Sequence, residues 1–222
     1  MRRLSALTIL GAALFLTVQP LAAQTLPSCA LIDKTISATE DFAEFALAGE
    51  TGHAREALGV LHQTFTKIKS GLSADAVAKA QTQIDAADTA FAARDLPRAA
   101  VAAVETYRVL IVALRSRLPT TLDVAMLDYT GFKFHALNAV VPKNWNAIAE
   151  NVSRSAENTA KAQKRLTGNT GLADLIGNIQ TGLAGASAAK IPGWLDSAAQ
   201  IQLDSVDLLE QVIKNPSPDA CT

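Results

Sequence analysis

Aromatic residues make up only 5% of this 222-residue chain, which also has just two cysteines, three histidines and two methionines. So few imidazoles and thiols leave an ordinary transition-metal site little to draw on. Met1 belongs to an apparent leader, so Met126 is the one methionine left after its removal, and a methionine cluster for copper is disfavoured. Charge of either sign is not in excess: 20 basic residues stand against 21 acidic ones, with no basic cluster. Such a balance gives a phosphate backbone no continuous footing and argues against nucleic acid as a partner. Several motifs are missing as well: CxxCH for covalent haem, HExxH for zinc, a glycine-rich phosphate loop, a GxSxG elbow and an EF-hand loop. With no nucleophile and base paired by sequence logic, the expectation is a binding protein rather than an enzyme.

The first residues have the layout of an export signal. Arg2 and Arg3 precede an apolar run from Leu4 to Val18, and small residues follow at Ala22 and Ala23. Cleavage after Ala23 makes residues 1–23 a signal peptide and places the mature chain, 24–222, in the periplasm or outside the cell. No later segment approaches about 18 apolar residues without charge, so no membrane span is expected in the mature chain. Cys29 and Cys221 are the only thiols, and an oxidising compartment lets them persist as one disulfide. Such a bond requires the first and last helices to be neighbours.

What the chain does have is alanine and helical periodicity. Hydrophobic residues make up 49% of it, and apolar positions recur three and four apart almost throughout. The pattern predicts an all-α protein, an antiparallel bundle of about eight helices. The first is expected over Leu31–Leu47, closed by Gly49, and the second over His53–Lys69. Ser73 caps the third, and Asp95 caps a fourth that extends to Leu118 before Pro119. The fifth runs from Thr121 to Val141, and Asn144 caps a sixth reaching Leu166. A shorter seventh carries Leu172 to Leu183, residues Gly185 to Pro192 are expected as loop, and the eighth runs from Trp194 to Lys214. The helix starts repeat with a slowly growing offset, which suggests two pseudo-repeats, 30–118 and 120–215, within a single domain. The fourth helix is apolar on nearly all sides, so it is expected between layers and is the candidate for a helix shared by two bundles.

Five residues stand out as candidate metal ligands. His53 and Glu56 lie three apart on one helical face in Gly52-His53-Ala54-Arg55-Glu56, a spacing that lets both reach one cation. This segment resembles the GxHxxE motif of imelysin-like proteins, although Gly52 adjoins His53 where that family has a residue between. The resemblance implies an exported protein of two helical bundles linked to iron uptake, with His53 and Glu56 in the metal site. Asp128 and His135, seven apart in the fifth helix, lie beside an aromatic stretch from Tyr129 to Phe134, where His135 is a candidate axial ligand for non-covalent haem. Glu105 sits among apolar neighbours on the fourth helix, either as an internal ion pair with Arg108 or as a ligand carboxylate. Asp204, Asp207 and Glu210 read as a hydrated acidic face of the eighth helix, opposite Ile201, Leu208, Leu209 and Val212. The chain is thus expected to bind a protein partner or small ligand, the alternative being a metal or haem protein of the imelysin-like type.

Overall fold

The computed structural model describes residues 26–221, so the expected signal peptide, 1–23, lies outside the described residues. Eight α-helices account for most of the chain: α1 (Cys29–Ala48), α2 (Thr51–Ile68), α3 (Ala74–Ala92), α4 (Leu96–Ala113), α5 (Leu122–Ala139), α6 (Trp145–Arg165), α7 (Thr170–Ala189) and α8 (Pro192–Val212). The protein is an all-α helical bundle. Its helix starts are set by local chemistry: Ser28, Ser73, Asp95 and Asn144 each accept a hydrogen bond from a first-turn backbone N–H. Gly49 ends α1 in the left-handed region at φ 77°, a conformation that costs glycine little.

Neighbouring helices follow the same order in each half. Helix α1 packs on α2 and α4, and α4 on α3; correspondingly α5 packs on α6 and α8, and α7 on α8. In the second half α6 and α7 also pack closely, which closes a ring. Helices α2 and α3 stand further apart and are linked by His62 Nε2 and Asp88 Oδ1 at 3.0 Å. The halves join where α5 lies against α4 and α1. It is α5, rather than the expected α4, that serves both cores. Ala125, Met126, Tyr129 and Ala136 face the first, whereas Val124, Leu127, Phe134 and Leu137 face the second.

The second half holds its helices with polar groups that periodicity does not reveal. Gln202 Nε2 donates to Leu127 O at 2.6 Å and to Thr130 Oγ1 at 2.8 Å, while its Oε1 accepts from Ser155 Oγ at 2.9 Å. Asn151 Nδ2 donates to Thr130 O at 2.8 Å. Buried polar groups are tolerated when partnered in this way, and they fix which helix faces which. Gly131 lies in the same seam, where a Cβ would come within 2.5 Å of Leu203 Cδ2.

Two boundaries and the buried face of one helix differ from the sequence expectation. Helix α4 stops at Ala113, not Leu118, because residues 114–117 turn tightly, with Arg117 N–H donating to Leu114 O at 2.7 Å, ahead of Pro119. The segment expected as a loop from Gly185 to Pro192 is mostly helix. Helix α7 continues to Ala189, and Gly185 there permits close approach of the Trp194 ring instead of breaking the helix. On α8, Ile201, Leu208 and Val212 were expected to face inward together with Leu209, but only Leu209 is buried and the other three are about half exposed.

The termini meet as expected, but through the tail beyond α8, since α1 and α8 do not pack on each other as the first and last helices were expected to. Cys29 and Cys221 form a disulfide with Cα atoms 5.3 Å apart, closing a separation of 192 residues. The C-terminal tail is laced to the α4–α5 connection: Thr120 Oγ1 donates to Ile213 O, Asn215 Nδ2 to Leu118 O, and Cys221 N–H to Arg117 O. Among the described residues no helix is long and apolar enough to cross a membrane. Because the disulfide restricts the unfolded chain far more than it shapes the folded one, replacing both cysteines with serine should cost about 2–5 kcal/mol. Urea unfolding followed by far-UV circular dichroism should show an earlier midpoint with unchanged helix signal before the transition; an unchanged midpoint contradicts it.

Candidate functional site

A cluster of acids lies where α1, α4, α5 and α8 border one cavity, against the disulfide and the α4–α5 connection. A cavity of about 570 Å³ opens there. Helical spacing brings its walls together. Ile32, Ile36 and Glu40 lie four apart on α1, Tyr107 and Ile111 four apart on α4, and Ala125, Asp128 and Phe132 along one face of α5. Helix α8 adds Val206, Asp207 and Glu210, and Arg117, Cys29 and Cys221 close one end.

Glu40 and Asp128 keep some surface open to this cavity but are otherwise packed round by protein. Tyr107, itself buried, donates its hydroxyl proton to Asp128 Oδ2 at 2.7 Å, and Glu40 lies within hydrogen-bond reach of Asp128. Burial pushes Asp128 from its ordinary 3.8 up to about 7; the Tyr107 bond works against this, and the charges of Glu210 and Asp207 work with it. Glu40 is raised well above the usual carboxylate range, first by burial and then by Asp128, Glu210, Glu44 and Asp41. Glu210 rises too, from burial and Asp207, with Lys214 opposing. Both acids therefore hold their protons to higher pH than ordinary carboxylates do.

Other buried carboxylates in this protein are neutralised. Glu105 accepts from Arg108 Nε at 2.8 Å, from Lys133 Nζ at 2.6 Å and from the Tyr129 hydroxyl at 2.9 Å. Burial works to raise Glu105, but Lys133 and Arg108 outweigh it, so its carboxyl lies below the ordinary value. Asp123 accepts a two-pronged contact from Arg165 Nε at 3.1 and 3.0 Å.

The five candidate ligands occupy four separate places. His53 is exposed, its Nδ1 2.8 Å from Glu50 Oε2 and its ring against Phe45; the Glu50 bond raises its proton affinity. Glu56 shares a shallow surface groove with His53. Glu105 is the internal ion pair with Arg108 anticipated from spacing, extended by Lys133. His135, although on the same helix as Asp128, turns into a different groove, where its Nδ1 is 2.7 Å from Asp196 Oδ1 and its Nε2 is buried without a partner. Asp128 alone lines the acidic cavity. Among the described residues no group of three or more His, Cys, Asp or Glu side chains is arranged to hold a metal ion.

Sequence reasoning passed over Glu40 and Tyr107, and it placed Asp207 and Glu210 on a plain hydrated face. The signal for Glu40 was present: it continues the Ile32–Ile36 row at the same spacing, an acid in an apolar stripe. No family model, curated protein or solved structure matches the chain, so the imelysin likeness rests on the residues around His53 and Glu56 alone.

An acid whose proton affinity is higher in the folded state loses stability as pH rises from its unfolded to its folded pKa, here from 3.8 to about 7, and regains it as pH falls. Lowering pH from 7.5 to 5 should therefore raise the thermal midpoint, and Asp128→Asn should reduce that rise by several degrees. His53 titrates in the same direction but is present in both proteins, so calorimetry of the pair isolates Asp128. Equal rises in both contradict the assignment.

Proposed function

We propose that this chain is an exported, non-catalytic binding protein that holds a small ligand in the cavity between α1, α4, α5 and α8. The observation that carries the proposal is the Glu40–Asp128 pair: two acids that no protein cation neutralises, opening into a space large enough for a small molecule. A fold that only needed to accommodate such groups has the means to pair them, as it does for Glu105 and Asp123. A concave site with apolar walls and a few convergent polar groups is the usual form of a ligand pocket. Export is supported by the leader and by the Cys29–Cys221 bond, which suits an oxidising compartment. A second reading, docking of a protein partner, is favoured by the outer row of α8, where Trp194, Ile201, Leu208 and Val212 are each about half exposed. The metal-protein alternative has no comparable convergence of its candidate ligands.

Native mass spectrometry of protein recovered from the periplasm tests the proposal. The mature chain should begin at Gln24 and carry a small-molecule adduct, which Ala125→Leu removes by filling the cavity while leaving the circular dichroism spectrum unchanged. A chain that keeps its leader contradicts export. A sample without adduct that no component of a metabolite extract stabilises contradicts the pocket.

A further inference from the structure

We infer that the occupant of this cavity is an organic ammonium ion with an apolar body, its charged head held by the Glu40 and Asp128 carboxylates. The inference rests on the small-ligand reading above and names the ligand's class. Glu40 carries it: among the described residues, no amide, hydroxyl or cationic group donates to its carboxylate, although its side chain is only partly exposed and faces the cavity. Beside it stands Asp128, another acid. A partly buried carboxylate of this kind either keeps a proton or takes a cation from outside.

Every element around the pair leaves that demand unmet. From α1 come Asp33 at the cavity wall and, behind Glu40, Asp41 and Glu44; from α8 come Asp207 and Glu210, the latter beside Lys214. Helix α4 contributes only the neutral phenol of Tyr107. Arg117 is the one cation lining the cavity; it lies at the disulfide end, where its Nη2 donates to Pro27 O at 3.2 Å and Cys29 Sγ at 3.3 Å while its Nε is buried without a partner, and it makes no ion pair with these acids. An anion would meet this row of acids and be repelled. A bare metal ion lacks three converging ligands and would leave most of about 570 Å³ unfilled.

The rest of the wall suits the body of an amine. Ile36, Ile111 and Val206 are apolar, and the Phe132 ring, nearly perpendicular to Tyr107 with centroids 6.4 Å apart, lines the same space. Binding forms no covalent bond to the ligand and breaks one, the O–H of the protonated carboxyl, whose proton passes to water or buffer. The ammonium ion enters charged, the acid pair becomes fully ionised, and the displaced proton leaves to solvent, so affinity is linked to pH.

Titration calorimetry with phenethylammonium, 2-phenylethanol, phenylacetate, and calcium or manganese chloride alone tests this at pH 8 and pH 6 in buffers of different ionisation enthalpy. Phenethylammonium should bind at least ~30-fold more tightly than the isosteric alcohol, as expected for a charge-assisted contact. It should release a proton and weaken by about tenfold per pH unit below 7. Glu40→Gln and Asp128→Asn should each abolish that preference, while Glu56→Gln on the outer surface of α2 leaves it intact. The pH dependence of the wild-type protein needs no variant to fold. Equal or tighter binding of the alcohol or phenylacetate overturns the inference, as do stabilisation by the metal salts alone and no binding of the ammonium ion at pH 8. In each of these cases an Ala125→Leu-sensitive adduct still upholds the pocket, whereas its absence removes both readings.

Discussion

Helix α5 has no side that faces water: not one of its eighteen residues is exposed. Helices with that property are buried between layers, and each of their charged groups must find a partner within the protein or stay neutral. Asp123 takes Arg165, Lys133 takes Glu105, and His135 takes Asp196. Asp128 takes a phenol and a second acid instead. The exception falls at the one place where α5 borders the large cavity, and from it follow the raised proton affinity, the pull on a cation and the ligand class proposed here.

Burial on all sides also explains how the two halves form one structure. Helix α5 sends Tyr129 and Ala136 into the first core and Phe134 and Leu137 into the second, so neither bundle is complete without it. Gly131 and the carbonyls of Leu127 and Thr130 turn its remaining side to α6 and α8, where Asn151 and Gln202 bond to backbone that has no free donor of its own to offer. Polar specification on one side and alanine packing on the other hold a single register.

Much of the helical order was legible in the sequence because capping residues and apolar period act locally. Ser73, Asp95, Asn144 and Gly49 mark helix ends through bonds within one turn. The Glu105–Arg108 pair was readable for the same reason, and the disulfide because only two thiols exist. What local reasoning missed depends on partners distant in sequence. Gly185 is a breaker by composition but, against Trp194, a contact surface within α7. The acids of α8 look like a solvated face until α1 and α5 are placed opposite them. His135 and Asp128 share a helix side by spacing alone, yet α8 and α4 draw them into different pockets. The likeness of His53 and Glu56 to an iron-linked motif likewise concerned a local pattern, and the fold sets His53 against Glu50 and Phe45 at the surface.

The central claim is therefore electrostatic: the fold leaves two neighbouring acids without a cation, and both keep their protons to higher pH than ordinary carboxylates. Carbon-13 NMR of the aspartate and glutamate carboxyl carbons, followed over pH in the ligand-free protein, measures it directly. The account predicts that Asp128 titrates near 7 and that Glu40 titrates well above its ordinary range. Titration of both carboxyls in the ordinary range near about 4 would contradict it.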